Sequence, residues 1–149
     1  MKHFAPEQLE EVFQLGRNIH RLNSDKDRLL ETWLLPHDIT AAQCKVMLLM
    51  YREGLETSAE LCRRMNLDSG ATSRMLDRLE NKNLIVRVRC CTDDRRQMRL
   101  SLTDTGRVFC WQLPSIITHT LNDLMAPLTP AEFKEFARLL NKLVDPAGI

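Results

Sequence analysis

The chain has 149 residues, 44% of them apolar and 5% aromatic, which suits one compact helical domain with a real core. The net charge of +1 is unevenly spread, at −2 over residues 1–58, +4 over 59–99 and −1 over 100–149, so the basic surface gathers in the middle third. The longest apolar run, Val46–Tyr51, is too short to span a bilayer, no secretory pattern precedes it, and a cytoplasmic protein without membrane contact is expected.

Five cysteines (Cys44, Cys62, Cys90, Cys91 and Cys110) form no C-x-x-C pair and have no histidine at ligand spacing. Neither a disulfide framework nor a metal site is expected. No Gly-rich phosphate loop or nucleophile motif is present, so neither an enzyme nor a cofactor is indicated.

In chain order, Leu9, Val12, Phe13, Ile19 and Leu22 recur at helical spacing and predict a long amphipathic helix from Glu7 to about Trp33, stopped by Pro36. Thr40-Ala-Ala-Gln43 is a capping box that opens a second helix, with Cys44, Met47, Leu48 and Tyr51 on one face and Gly54 at its end. Thr57-Ser-Ala-Glu60 opens a short third helix with Leu61, Cys62 and Met65 inward. After a brief break at Asn66-Leu67, Asp68 caps a fourth helix that runs to about Lys82, with Leu76 and Leu79 inward. Two short helices so joined form a helix-turn-helix pattern.

The period then changes from helical to alternating. Ile85, Val86 and Val88 interleave with Arg87 and Arg89, and Met98, Leu100 and Leu102 with Arg99 and Ser101. The polar stretch Thr92-Asp-Asp-Arg-Arg96 lies between them, which predicts a β-hairpin with a basic tip. A hairpin directly after a helix-turn-helix is a wing. Thr103 caps a fifth helix bearing Val108, Phe109, Trp111 and Leu113, and Pro114 predicts a kink or break before Ile116, Ile117, Leu121 and Leu124. Thr129-Pro-Ala-Glu132 starts a last helix with Phe133, Phe136, Leu139, Leu140 and Leu143 on one face.

The fourth helix opens with small polar residues, Asp68-Ser-Gly-Ala-Thr-Ser-Arg74, and carries Arg74 and Arg78 on one side. Small residues let a helix end approach DNA, and an arginine can contact guanine bidentately in the major groove. Asp94 can hold a neighbouring arginine extended, a form suited to a narrow minor groove. Taken singly, each run is also compatible with an ordinary solvated surface; their order along the chain favours nucleic acid.

Asp38-Ile-Thr-Ala-Ala-Gln43, Thr72-Ser-Arg-Met-Leu-Asp-Arg-Leu79, and Asp94-Arg-Arg96 leading to Leu102-Thr103 resemble the MarR family of bacterial regulators, over nearly the whole chain. The resemblance implies a mostly α winged helix-turn-helix homodimer. Residues 7–34 and 129–144 would pair between subunits through Leu9, Val12, Phe13, Phe133, Phe136 and Leu140. Residues 40–102 would form the winged part and 103–126 a connecting helix. It implies double-stranded DNA with a pseudo-palindromic operator as partner. Ser69, Thr72, Ser73, Arg74 and Arg78 would lie on the recognition helix, Arg96 in the minor groove, Asp94 orienting it and Arg95 near phosphate.

It further implies a repressor released by a small aromatic acid or phenol, with Arg87 pairing a carboxylate, Ser73 hydrogen-bonding it, and Arg17, His20, Met47 and Tyr51 along an adjacent wall. Two departures stand out: Asn83 where many members have glycine, and Asn81 where a family member has a cysteine, so a redox response centred there is not expected. Redox sensing through Cys90 and Cys91, near Arg87 and Arg89, is an alternative, and a winged-helix protein-interaction module is a second.

Overall fold

The computed structural model describes residues 3–89 and 98–145. Six helices and one hairpin run in the order α1 (Leu9–Leu34), a 3-10 turn (Leu35–His37), α2 (Ala41–Glu53), α3 (Ser58–Met65), α4 (Ser69–Asn81), β1 (Ile85–Arg89), β2 (Met98–Leu102), α5 (Asp104–Met125) and α6 (Pro130–Val144). The starts of α2 to α6 lie where the capping chemistry placed them, while α1 begins at Leu9 without a side-chain cap, two residues after Glu7. Thr40, Thr57 and Thr129 each form a complete capping box, with Gln43, Glu60 and Glu132 returning the bond to the cap backbone. Those bonds hold the Glu60 and Glu132 carboxyls below their ordinary pKa: the Thr57 hydroxyl acts first on Glu60, the Thr129 backbone N–H on Glu132.

Left-handed residues close the elements. Gly54 ends α2 at φ 65° and Asn66 ends α3 at φ 53°. Asn83, at φ 56°, turns the chain from α4 into β1, the conformation that glycine takes most easily and asparagine tolerates.

The strands pair antiparallel, with Ile85 opposite Leu102 and Arg89 opposite Met98. The N–H of Leu100 donates to Glu56 O at 2.7 Å, so the segment before α3 is stitched to β2 and anchors the base of the hairpin. Inward-facing Ile85, Leu100 and Leu102 join Leu61 of α3, Leu76 and Leu79 of α4, Met47 of α2 and Phe109, Cys110 and Leu113 of α5 in one core.

Three expectations change. The break at Pro114 does not occur, and α5 runs through it as a single helix. Leu113 and Ile116 on either side are buried in the core, and this packing outweighs one missing backbone hydrogen bond. Tyr51 lies outside the core although it shares a helical face with Cys44 and Met47: towards the C-terminal end of α2 the buried side of the helix is set by Val46, Leu49 and Met50. Val108 and Trp111 of α5 are likewise exposed, because the buried side of that helix is set by Phe109, Cys110, Leu113 and Ile116.

The start of α5 docks on the turn between α4 and β1. Thr103 Oγ1 donates to Asn83 O at 2.6 Å and accepts the Gly106 N–H at 2.9 Å, and the Thr103 N–H donates to Leu84 O at 3.1 Å. Gly106 is buried, and a Cβ placed there would overlap the carbonyl oxygen of Leu84. Further along, α1 crosses α5: Trp33 stacks on His119 with ring centroids 4.6 Å apart, and its Nε1 donates to Asp123 Oδ2 at 2.9 Å. Among the described residues no helix is long and apolar enough to cross a membrane.

Replacing Gly106 with alanine is expected to push α5 off the α4–β1 turn and to cost about 3 kcal/mol, read as a lower urea midpoint with an unchanged slope. A midpoint equal to that of the unmodified chain would disprove the close approach.

Candidate nucleic-acid interface

Asp68 opens α4 by accepting the Ala71 N–H on Oδ1 at 2.7 Å. The helix then divides into two faces. Thr72, Leu76 and Leu79, spaced by four and three residues, point inward and are 2%, 1% and 0% exposed. Ser69, Gly70, Ser73, Arg74, Asp77 and Arg78 lie on the outer side and are exposed.

Thr72 is therefore not placed to touch bases or phosphates. Its hydroxyl donates to Asp68 O at 3.0 Å and receives the Cys62 thiol at 3.2 Å, which joins α4 to α3. The sequence pattern Thr72-Ser73 offered two adjacent hydroxyls, and only helical phase against Leu76 separates the structural one from the outward one. Gly70 keeps the helix start slim: a Cβ there would meet Asp68 Oδ1 at 3.2 Å and Arg74 Nη1 at 3.4 Å, so the Arg74 guanidinium lies back over the first turn. Arg74 and Arg78 stand one turn apart on the outer face, and among the described residues neither is ion-paired with a carboxylate within 4.0 Å.

Arg63 of α3 is a further exposed basic residue of the helix-turn-helix. The sequence does not distinguish it from its neighbour Arg64. In the fold Arg64 is tied to Glu53, 2.7 Å away.

The hairpin adjoins α4 through Arg87. Its Nη2 donates to Asp77 Oδ1 at 2.7 Å and its Nη1 to Glu80 Oε2 at 2.5 Å, with the arginine side chain 23% exposed. The hydrogen bond that Arg87 donates to Asp77 is the chief cause that raises the Arg87 pKa above its ordinary value. At the C-cap of α4, Lys82 Nζ donates to Asp38 O and lies 3.3 Å from Asp38 Oδ2 and 3.4 Å from Gln43 Oε1, tying that end of the helix to the start of α2. The tip residues Asp94, Arg95 and Arg96, with Cys90 and Cys91, lie outside the described residues.

The six residues read as a ligand wall are dispersed in the single chain. Arg17 is exposed on α1 and held by Glu10 at 2.8 Å and Gln14 at 2.7 Å, with His20 exposed one turn on. Met47 is 0% exposed in the core. Ser73 faces outward on α4, and Arg87 is engaged as described. Tyr51 borders a cleft of about 300 Å³ between the end of α2, β2 and the start of α5, with Arg107 on its rim.

A model described as the MarR family matches residues 39–98. The chain is 38% identical over 135 residues to the multiple antibiotic resistance protein MarR of Escherichia coli (strain K12), covering 90% of this chain and 93% of that one. It is 33% identical over 109 residues to the HTH-type transcriptional repressor MdtR of Bacillus subtilis (strain 168), covering 73% and 70%. Among solved structures, the reduced form of E. coli MarR superposes with a TM-score of 0.80 at 35% identity, over 95% of this chain and 98% of that one. A mutant of E. coli MarR complexed with operator DNA superposes with a TM-score of 0.75 at 38% identity, over 89% and 95%.

Arg74→Ala is expected to weaken duplex binding by about 1–3 kcal/mol and to relax preference at one base pair per half-site, as measured by competition between duplexes. Thr72→Val is expected to lower unfolding stability by about 1 kcal/mol and to leave base preference unchanged. Altered base preference in Thr72→Val would place that hydroxyl on DNA.

Proposed function

The chain belongs to the MarR family, and on that premise we propose that it is a cytoplasmic, DNA-binding transcriptional repressor that acts as a homodimer and is released by a small aromatic or phenolic ligand. The observation that carries the DNA-binding reading is the two-faced α4. Its inner face is locked by Thr72, Leu76 and Leu79, while Ser69, Ser73, Arg74 and Arg78 remain free to meet a major groove. The roles assigned to the wing are minor-groove contact for Arg96, its orientation for Asp94 and phosphate contact for Arg95. The operator DNA bound by the E. coli MarR mutant, to which this chain is 38% identical, supports the same partner here.

Dimerisation rests on apolar surface that one chain leaves in water. No residue of α6 is buried, although Phe133, Leu139, Leu140, Leu143 and Val144 lie on it. Leu9, Val12, Phe13, Leu15, Ile19 and Leu22 of α1 are exposed too. An apolar hollow of about 500 Å³ opens between the end of α5 and α6, lined by Leu121, Met125, Leu128, Phe133, Phe136 and Leu140. Patches of this extent mark an interface, and a second copy supplies matching helices with two-fold symmetry. The pair presents its two recognition helices about 34 Å apart, one turn of DNA.

A ligand seated between the helical region and the winged lobe lowers DNA affinity by preferring a different separation, and the loss equals its differential binding free energy. Arg17, His20, Tyr51, Ser73 and Arg87 are the surface groups assigned to that region. Met47 supports the wall from the core rather than touching the ligand.

Fragments of the host genome selected by the purified protein are expected to share a pseudo-palindrome with half-sites one turn apart. Their affinity is expected to fall by about three to five orders of magnitude between 50 and 200 mM salt if 6–10 phosphates are contacted. Binding that ignores salt would overturn the reading. Leu140→Glu is expected to shift the sedimentation of the chain from dimer to monomer and to abolish tight operator binding; a dimer that persists would move the interface elsewhere.

A further inference from the structure

One edge of β2 pairs with β1, and the other faces the segment that joins α2 to α3. The Thr103 N–H donates to Leu84 O on the β1 side. Backbone groups alternate sides along an antiparallel strand, so the N–H groups of Leu100 and Leu102 point to the other edge. There Glu56 O accepts the Leu100 N–H at 2.7 Å. The Leu102 N–H has no protein acceptor among the described residues, although Leu102 is only 8% exposed. A donor so nearly buried takes its partner from water or from a ligand. This edge borders the cleft of about 300 Å³ between the end of α2, β2 and the start of α5, a volume at the small end of ligand pockets. Arg107 stands on the rim, its side chain 50% exposed. Among the described residues its one carboxylate neighbour is Asp104, 3.5 Å away and fully in water, so that pair is screened and weak. The acid of the cleft, Glu56, is turned to Arg99 at 3.1 Å. Met50 and Leu55 supply apolar wall, and Tyr51 an exposed ring.

We propose that this cleft is a binding site for a small carboxylate with a flat apolar body. The carboxylate accepts from the Arg107 guanidinium and from the Leu102 N–H, and the body lies against Met50, Leu55 and the ring of Tyr51. A guanidinium is a planar fork that matches the two oxygens of a carboxylate, and a hydrogen bond between charged groups is stronger than one between neutral groups. Every group the site uses comes from one chain. No residue of α4 lines it, and of the groups assigned to the region between the lobes only Tyr51 does. The site therefore goes beyond the proposed function and needs neither a second copy nor DNA.

The test titrates benzoate into the isotope-labelled full-length chain at pH 7, where the acid is ionised. Amide signals are followed by NMR and affinity by calorimetry. Wild type is expected to bind benzoate saturably, with the Leu102 amide signal moving as the site fills. Benzamide, of the same shape but uncharged, is expected to bind about tenfold more weakly or worse. Arg107→Gln is expected to weaken benzoate by about tenfold or more and to bring it level with benzamide. Arg107→Lys, which keeps the charge and loses the fork, is expected to fall between the two. Tyr51→Ala removes the ring without touching the charge and is expected to weaken both compounds by a similar factor, an independent reading should the Arg107 variants fold poorly. Binding that leaves the Leu102 amide signal in place, or that Arg107→Gln does not weaken, would overturn the site, as would the absence of saturable binding to wild type. Operator binding by the same preparations is measured separately, so loss of this site and failure of the proposed function are told apart.

Discussion

Burial of one side of α4 is the constraint on which the other features depend. Thr72, Leu76 and Leu79 sit in the core or against α3, so the helix cannot rotate about its axis without exposing two leucines, each worth roughly 1.5–3 kcal/mol of burial. Which polar residues face outward is therefore decided by apolar packing. Ser73, Arg74 and Arg78 are presented because Leu76 and Leu79 are hidden. The hydroxyl of Thr72 adds a polar contact to this packing, linking Asp68 O to the Cys62 thiol, and among the described residues no buried side-chain polar atom lacks a partner.

The same helix is tied down on both flanks by charge. Arg87 connects it to β1, and Lys82 connects it to the 3-10 turn and the cap of α2. These pairs are partly exposed, so each contributes modestly to stability. The start of α5 is fixed to the α4–β1 turn by Thr103, Asn83 and the close approach of Gly106 to Leu84. From that junction α5 runs 22 residues to Met125, before α6, whose apolar residues stay exposed.

The buried thiols have no evident part in this arrangement. Burial raises the pKa of both Cys44 and Cys110 to about 11, with Cys110 adding to the effect on Cys44. A thiol held protonated is a poor nucleophile and a poor metal ligand, so these two act as small core residues.

Local chemistry settled much of the protein from its sequence. The capping boxes at Thr40, Thr57 and Thr129, the cap at Asp68, the left-handed Asn83 and the switch from helical to alternating period at Ile85 all act within a few residues, so the chain alone determined the order and starts of its elements. Tertiary packing decided the rest. It kept α5 continuous through Pro114, turned Thr72 inward and left its neighbour Ser73 outside, exposed Tyr51 and Trp111, and committed Arg87 to Asp77 and Glu80. Each of these depends on groups far apart in the chain or on the phase of a helix against a core. A local pattern records that a side chain is apolar or charged, but not which neighbour the fold brings to meet it.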